Sequence, residues 1–147
     1  MVSHKSGFTL IELMVAVAIV GVLASIAYPS YTAMVRKSNR TDATSELNNI
    51  AIRLQRCYTT YNTFDPAEGK CDVIDQLKVS TGVKSQGGFY VIKGSDFDKT
   101  TYTLTATPIT GTVQALDTDC SSFSLKHTGE RIAVNGSSAD TTSSCWK

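Results

Sequence analysis

The chain has 147 residues, with 14 Lys and Arg against 13 Asp and Glu, a formal charge of +1. That length holds one domain plus a long helix rather than two domains, and the near-balance of charge excludes a basic face forced by composition for nucleic acid or anionic lipid. Four cysteines without a C-x-x-C pair, and no paired histidines, leave no zinc-ligand pattern.

The first organised stretch runs from Ser6 to Tyr31. A short polar leader ends in Gly7, and an apolar run follows from Phe8 to Tyr28 with one charge, Glu12. Its 21 residues make about 31 Å of helix, enough to cross a hydrocarbon core ~30 Å thick. A secretory signal carries its small-residue cleavage site after the apolar run. Here Gly7 precedes the run and no A-x-A closes it. Cleavage after Gly7 would remove Lys5 with the leader, leave 13 basic residues against 13 acidic ones, and keep the helix.

Glu12 needs a partner, because an acid near the bilayer centre costs about 2.5–3.5 kcal/mol. The new α-amino group of Phe8 would lie four residues back, one helical turn away. An amine on a neighbouring copy is an equally good partner, so acid and amine together would form an assembly device. A simpler role for Glu12 is that of a first-turn acid favoured by the helix dipole, by about 0.3–1 kcal/mol.

Beyond the apolar run, Pro29 is expected to kink the helix, with Gly21 a weaker soft spot. Arg36, Lys37 and Arg40 mark the exit from lipid. Ala43, Leu47, Ile50, Ala51, Leu54 and Tyr58 then recur at steps of three and four, one apolar stripe, with Arg53 and Arg56 off it. The pattern predicts one helix from about Thr9 to Thr60, its first half in lipid and its second half laid on a core.

Thr59 to Gly88 reads as loop, with a short helical turn around Val73 to Leu77. Strand signals follow at Phe89 to Lys93, ended by Gly94-Ser95-Asp96, and at Thr101 to Thr107, ended by Pro108. Phe123 to His127 and Arg131 to Val134 flank Thr128-Gly129-Glu130 as a hairpin. The expected fold is α+β: a long N-terminal helix packed on a small antiparallel sheet of three to four strands. The expected organisation is a leader at 1–7, a transmembrane and assembly helix at 8–35, and a globular head at 36–147.

Four cysteines permit three pairings. Cys57–Cys71 and Cys120–Cys145 are favoured because each closes a local loop, and each would stabilise by roughly 3 kcal/mol. A head this small, following a membrane anchor, suits structural disulfides rather than redox chemistry.

Asp96-x-Asp98 and Asp117-x-Asp119 lack the glycine and the final glutamate of a calcium loop. His4 leaves with the leader and His127 stands alone beside a turn, so triad chemistry has no basis and no enzyme, metal or cofactor is expected. Lys78, Lys84, Lys93 and Lys99 are the candidate DNA contacts of the head, set against ten acids and eight bases from Thr59 onward. Asn39-Arg40-Thr41 and Asn135-Gly136-Ser137 match the cheap N-glycosylation pattern.

Gly7-Phe8-Thr9-Leu10-Ile11-Glu12, the apolar helix and Tyr28-Pro29-Ser30-Tyr31 together resemble the N-terminus of type IV pilins. The resemblance implies cleavage between Gly7 and Phe8 by a prepilin peptidase, N-methylation of Phe8, and use of Glu12 in filament assembly. It further implies storage in the inner membrane with the head in the periplasm, then a place among other pilin subunits in a cell-surface pilus. Tyr102 to Pro108, Cys120, the Leu125…Gly129 hairpin and Cys145-Trp146 are similar to the C-terminal half of PilE-type minor pilins, and that likeness supports Cys120–Cys145. The expected function is a structural minor pilin. The alternatives are a DNA-binding pilin for natural transformation and a type II secretion pseudopilin.

Overall fold

A computed structural model describes residues 9–146. Gly7 and Phe8, with His4, lie outside the described residues. Helix α1 spans Leu10–Tyr61, and the chain divides into two units between Val35 and Arg36.

In the first unit, no described residue up to Val35 is buried. The apolar side chains from Leu10 to Ile26 stand exposed, and the most apolar stretch has a mean hydropathy of 2.6, long and apolar enough to cross a membrane. The helix continues through Pro29. The Ser25 and Thr32 hydroxyls donate to the Val22 and Pro29 carbonyls, so both polar groups are satisfied within their own turn, as a lipid environment demands.

The second unit begins at Arg36 and holds every buried residue among those described, from Ala43 to Cys145. Of the stripe read from spacing, Ala43, Leu47, Ile50 and Leu54 are fully buried, and Ala51 and Tyr58 are half-buried against the same core. They pack against a five-stranded antiparallel sheet in the order β1-β2-β3-β4-β5. The strands are β1 Val83–Lys84, β2 Tyr90–Ser95, β3 Thr103–Pro108, β4 Ser122–Lys126 and β5 Arg131–Val134. Register carries one buried row across four strands: Ile92 opposite Ala106, Ala106 opposite Phe123, and Phe123 opposite Ala133. Because side chains alternate faces, this row and the neighbouring Leu104 and Leu125 fix which face meets the helix.

Two details depart from the pattern in the sequence. The loop before Gly88 contributes a fifth, two-residue edge strand, β1, too short for its alternation to be read. Its hairpin is closed by Ser85, which is buried: Ser85 N–H donates to the Tyr90 carbonyl, and Tyr90 N–H donates to Ser85 Oγ. Gly87 N–H in that turn donates to Asp42 Oδ1 on α1 at 2.8 Å, and a Cβ at Gly87 would fall 2.9 Å from the same carboxylate. Strand β2 also continues through Gly94 and Ser95 instead of turning there. The Phe97 ring occupies the place of the missing Gly94 side chain.

Helix α2 (Asp72–Lys78) buries Val73, Ile74 and Leu77 and follows Cys71, which is bonded to Cys57 of α1. At the other end, Cys120 is bonded to Cys145 in a one-turn helix, α3 (Thr142–Cys145). Trp146 then lies edge-on to Phe123 and donates Nε1–H to the Ile132 carbonyl at 2.9 Å, so the tail covers the β5 edge.

Candidate functional site

At the start of α1, Thr9 and Glu12 bond reciprocally. Glu12 Oε2 accepts from the Thr9 backbone N–H at 2.9 Å and from its hydroxyl at 2.7 Å, while Glu12 N–H donates to Thr9 Oγ1 at 3.3 Å. This is a capping box, which satisfies two of the backbone donors a helix start leaves open. The Thr9-x-x-Glu12 spacing signals it in the sequence, beside the dipole and the Phe8 amine as reasons for an acid at this position. Among the described residues Glu12 Oε1 accepts no hydrogen bond, so half the carboxylate remains open to a further donor.

In the head, the α1 turn at Arg40 meets the loop after β3. Arg40 Nε and Nη2 donate to Asp117 Oδ2 and Oδ1 at 2.7 and 2.8 Å, and Gln114 Nε2 donates to Asp117 Oδ2 at 2.9 Å. Hydrogen bonding to Asp117 pushes the Arg40 pKa further up, so the guanidinium stays charged. Asp119, its partner in the considered calcium pattern, stands 3.8 Å from Arg40 Nη2. Among the described residues no three His, Cys, Asp or Glu side chains are grouped to hold a metal. His127 is exposed and lies edge-on to Tyr102.

The four candidate lysines do not form one group. Lys78 pairs with Asp65 and sits over the Phe97 ring. Lys84 and Lys93 are exposed on one sheet face, since Lys84 pairs in register with Val91. Lys99 is exposed in the loop between β2 and β3. A different set is gathered instead: Arg53 and Arg56 of α1, with Lys70, line a depression of about 340 Å³ beside the Cys57–Cys71 bond.

A family profile described as "Type IV minor pilin ComP, DNA uptake sequence receptor" matches residues 29–124. The chain belongs to the ComP-type minor pilins. A prokaryotic N-terminal methylation motif matches residues 2–28, so the two profiles account for the helix and most of the head of this minor pilin. The chain is similar to the type IV major fimbrial protein FimA of Dichelobacter nodosus, 40% identical over 70 residues, covering 48% of this chain and 42% of that protein. It is also similar to the type IV major alpha-pilin of Moraxella bovis, 51% identical over 43 residues, covering 29% of this chain and 27% of that protein. The chain thus spans less than half the length of these relatives. Its fold is the pilin arrangement, a long N-terminal helix packed on an antiparallel sheet.

Proposed function

We propose that this minor pilin is held in the inner membrane by the apolar part of α1, with its head in the periplasm. It is then assembled into a cell-surface pilus, where the head binds duplex DNA. The observation that carries the DNA reading is the match of residues 29–124 to a family of DNA uptake sequence receptors. The fimbrial relatives support a pilus rather than a secretion pseudopilus.

In this reading a prepilin peptidase cuts between Gly7 and Phe8, and Phe8 is N-methylated, in keeping with the methylation motif over residues 2–28. The Phe8 amine then gives Glu12 of a neighbouring subunit its counter-charge. The open Oε1 of Glu12 supports that pairing, because the capping box can persist while the other oxygen receives the ammonium. Apolar helices bundled in the filament cover the side chains that stand exposed in the isolated chain.

The DNA part is tested with the full chain in a non-ionic detergent, titrated against a labelled duplex at several salt concentrations. Binding that weakens steeply as salt rises is expected, because each neutralised phosphate releases condensed counterions. Absence of binding even at low salt would remove DNA from the account.

A further inference from the structure

The basic depression beside the Cys57–Cys71 bond has a use that the proposed function does not assign. Arg53 and Arg56 stand three residues apart on rigid helix, and Lys70 lies on the loop tied to that helix by the disulfide, with Cα atoms 6.1 Å apart. Among the described residues, none of the three forms a salt bridge or donates a side-chain hydrogen bond. Asp72 is the acidic residue in the lining, which leaves three positive charges against one. Lys78, by contrast, is occupied by Asp65 and Phe97. Three cations held without partners around one concavity match the chemistry of successive phosphates on a nucleic-acid strand. The two arginines supply planar forks and the lysine a point charge.

We propose that Arg53, Arg56 and Lys70 form a phosphate-binding depression that seats one backbone strand of the DNA, and that the Cys57–Cys71 bond is its positioning element. The proposal rests on the DNA reading of the head. It adds where the strand lies and why the first disulfide matters: that bond fixes Lys70 beside the arginines. Phosphate contacts of this kind set affinity and register on the duplex without reading its sequence.

The test uses the full chain in a non-ionic detergent with a labelled duplex, comparing two variants of equal charge change. In Arg53→Ala/Arg56→Ala/Lys70→Ala, the slope of log affinity against log salt should fall by about 2 to 3, at ~0.9 per lost contact, with affinity down at least tenfold at low salt. In Lys84→Ala/Lys93→Ala/Lys99→Ala the slope should hold. Equal losses in both, or loss in the second alone, would overturn the depression while leaving the DNA reading intact. No binding by the unmodified chain would remove both. A third variant, Cys57→Ser/Cys71→Ser, keeps all three cations and the Cys120–Cys145 bond, and should lose about as much affinity as Lys70→Ala alone. Unchanged affinity there would overturn the positioning role of the disulfide.

Discussion

Arg40 of the long helix grips Asp117 of the loop after β3 with two hydrogen bonds, at 2.7 and 2.8 Å, and the Asp117 side chain is only 3% exposed. Seventy-seven residues of chain separate the partners. The pair closes that loop onto α1, where Gln114 also donates to the Arg36 carbonyl.

Removing one partner of this pair should therefore cost more than an ordinary surface charge. Asp117→Ala removes both short hydrogen bonds from the Arg40 guanidinium, 15% exposed, and leaves it only the exposed Asp119 carboxylate 3.8 Å away. The expected loss is about 3 kcal/mol, at the low end for a broken buried pair because Arg40 keeps some contact with water. Urea denaturation of the head (36–147) measures it, and Arg40→Met/Asp117→Leu should recover most of the loss.

The two disulfides should contribute comparably through chain entropy but differ in consequence. Loop separations of 14 and 25 residues correspond to roughly 3 and 3.5 kcal/mol. Cys120 and Cys145 are both buried, and Trp146 docks directly after them, so loss of this bond should also free the tail from the β5 edge. Cys120→Ser/Cys145→Ser should raise hydrogen exchange at Ile132 to Val134, whereas Cys57→Ser/Cys71→Ser should leave those amides protected.

Alkaline pH should unfold the head through two tyrosines. Burial pushes the Tyr90 hydroxyl well above the ordinary tyrosine range, the Asp117 charge acts in the same direction, and burial raises Tyr102 too. The fold thus favours the protonated phenols, while unfolded tyrosine ionises near pH ~10. The stability they contribute is complete below that pH and is lost as pH rises above it. The urea midpoint of the head should fall between about pH 9 and pH 11. Tyr90→Phe should shrink that fall at little cost near neutrality, since the buried Tyr90 Oη has no hydrogen-bond partner among the described residues.

Glu12 has two roles that substitution can separate. Glu12→Gln keeps a side chain able to complete the capping box but removes the charge, so α1 should start as before while incorporation into filaments collapses. Thr9→Ala loses the cap, worth about 1 kcal/mol, but keeps the carboxylate and should assemble nearly normally. Incorporation measured in sheared pili decides between them. Equal defects in both variants would reduce Glu12 to a helix-capping residue.

Much of the fold was legible because its signals are local. Ala43, Leu47, Ile50 and Leu54 fall on one helical face whatever they pack against, and the alternation of Leu104 and Ala106 with threonines marks a half-buried strand. What was not legible depends on distant closure. The Arg40–Asp117 pair exists because a loop returns to the helix, and neither sequence neighbourhood announces the other. Strand β1 has two residues, too few for a period.

The basic depression falls between these cases. Arg56 directly precedes Cys57 and Lys70 directly precedes Cys71, so pairing those cysteines already draws the two cations together. For Lys78, Lys84, Lys93 and Lys99, by contrast, spacing alone does not reveal a partner such as Asp65 for Lys78.

Mass spectrometry of sheared filaments tests the central claim most directly, that this chain enters a pilus on a terminus created by cleavage. The account predicts a chain beginning at N-methylated Phe8, present in fewer copies than the principal subunit. Filaments that lack the chain, or that carry it beginning at Met1, would contradict it.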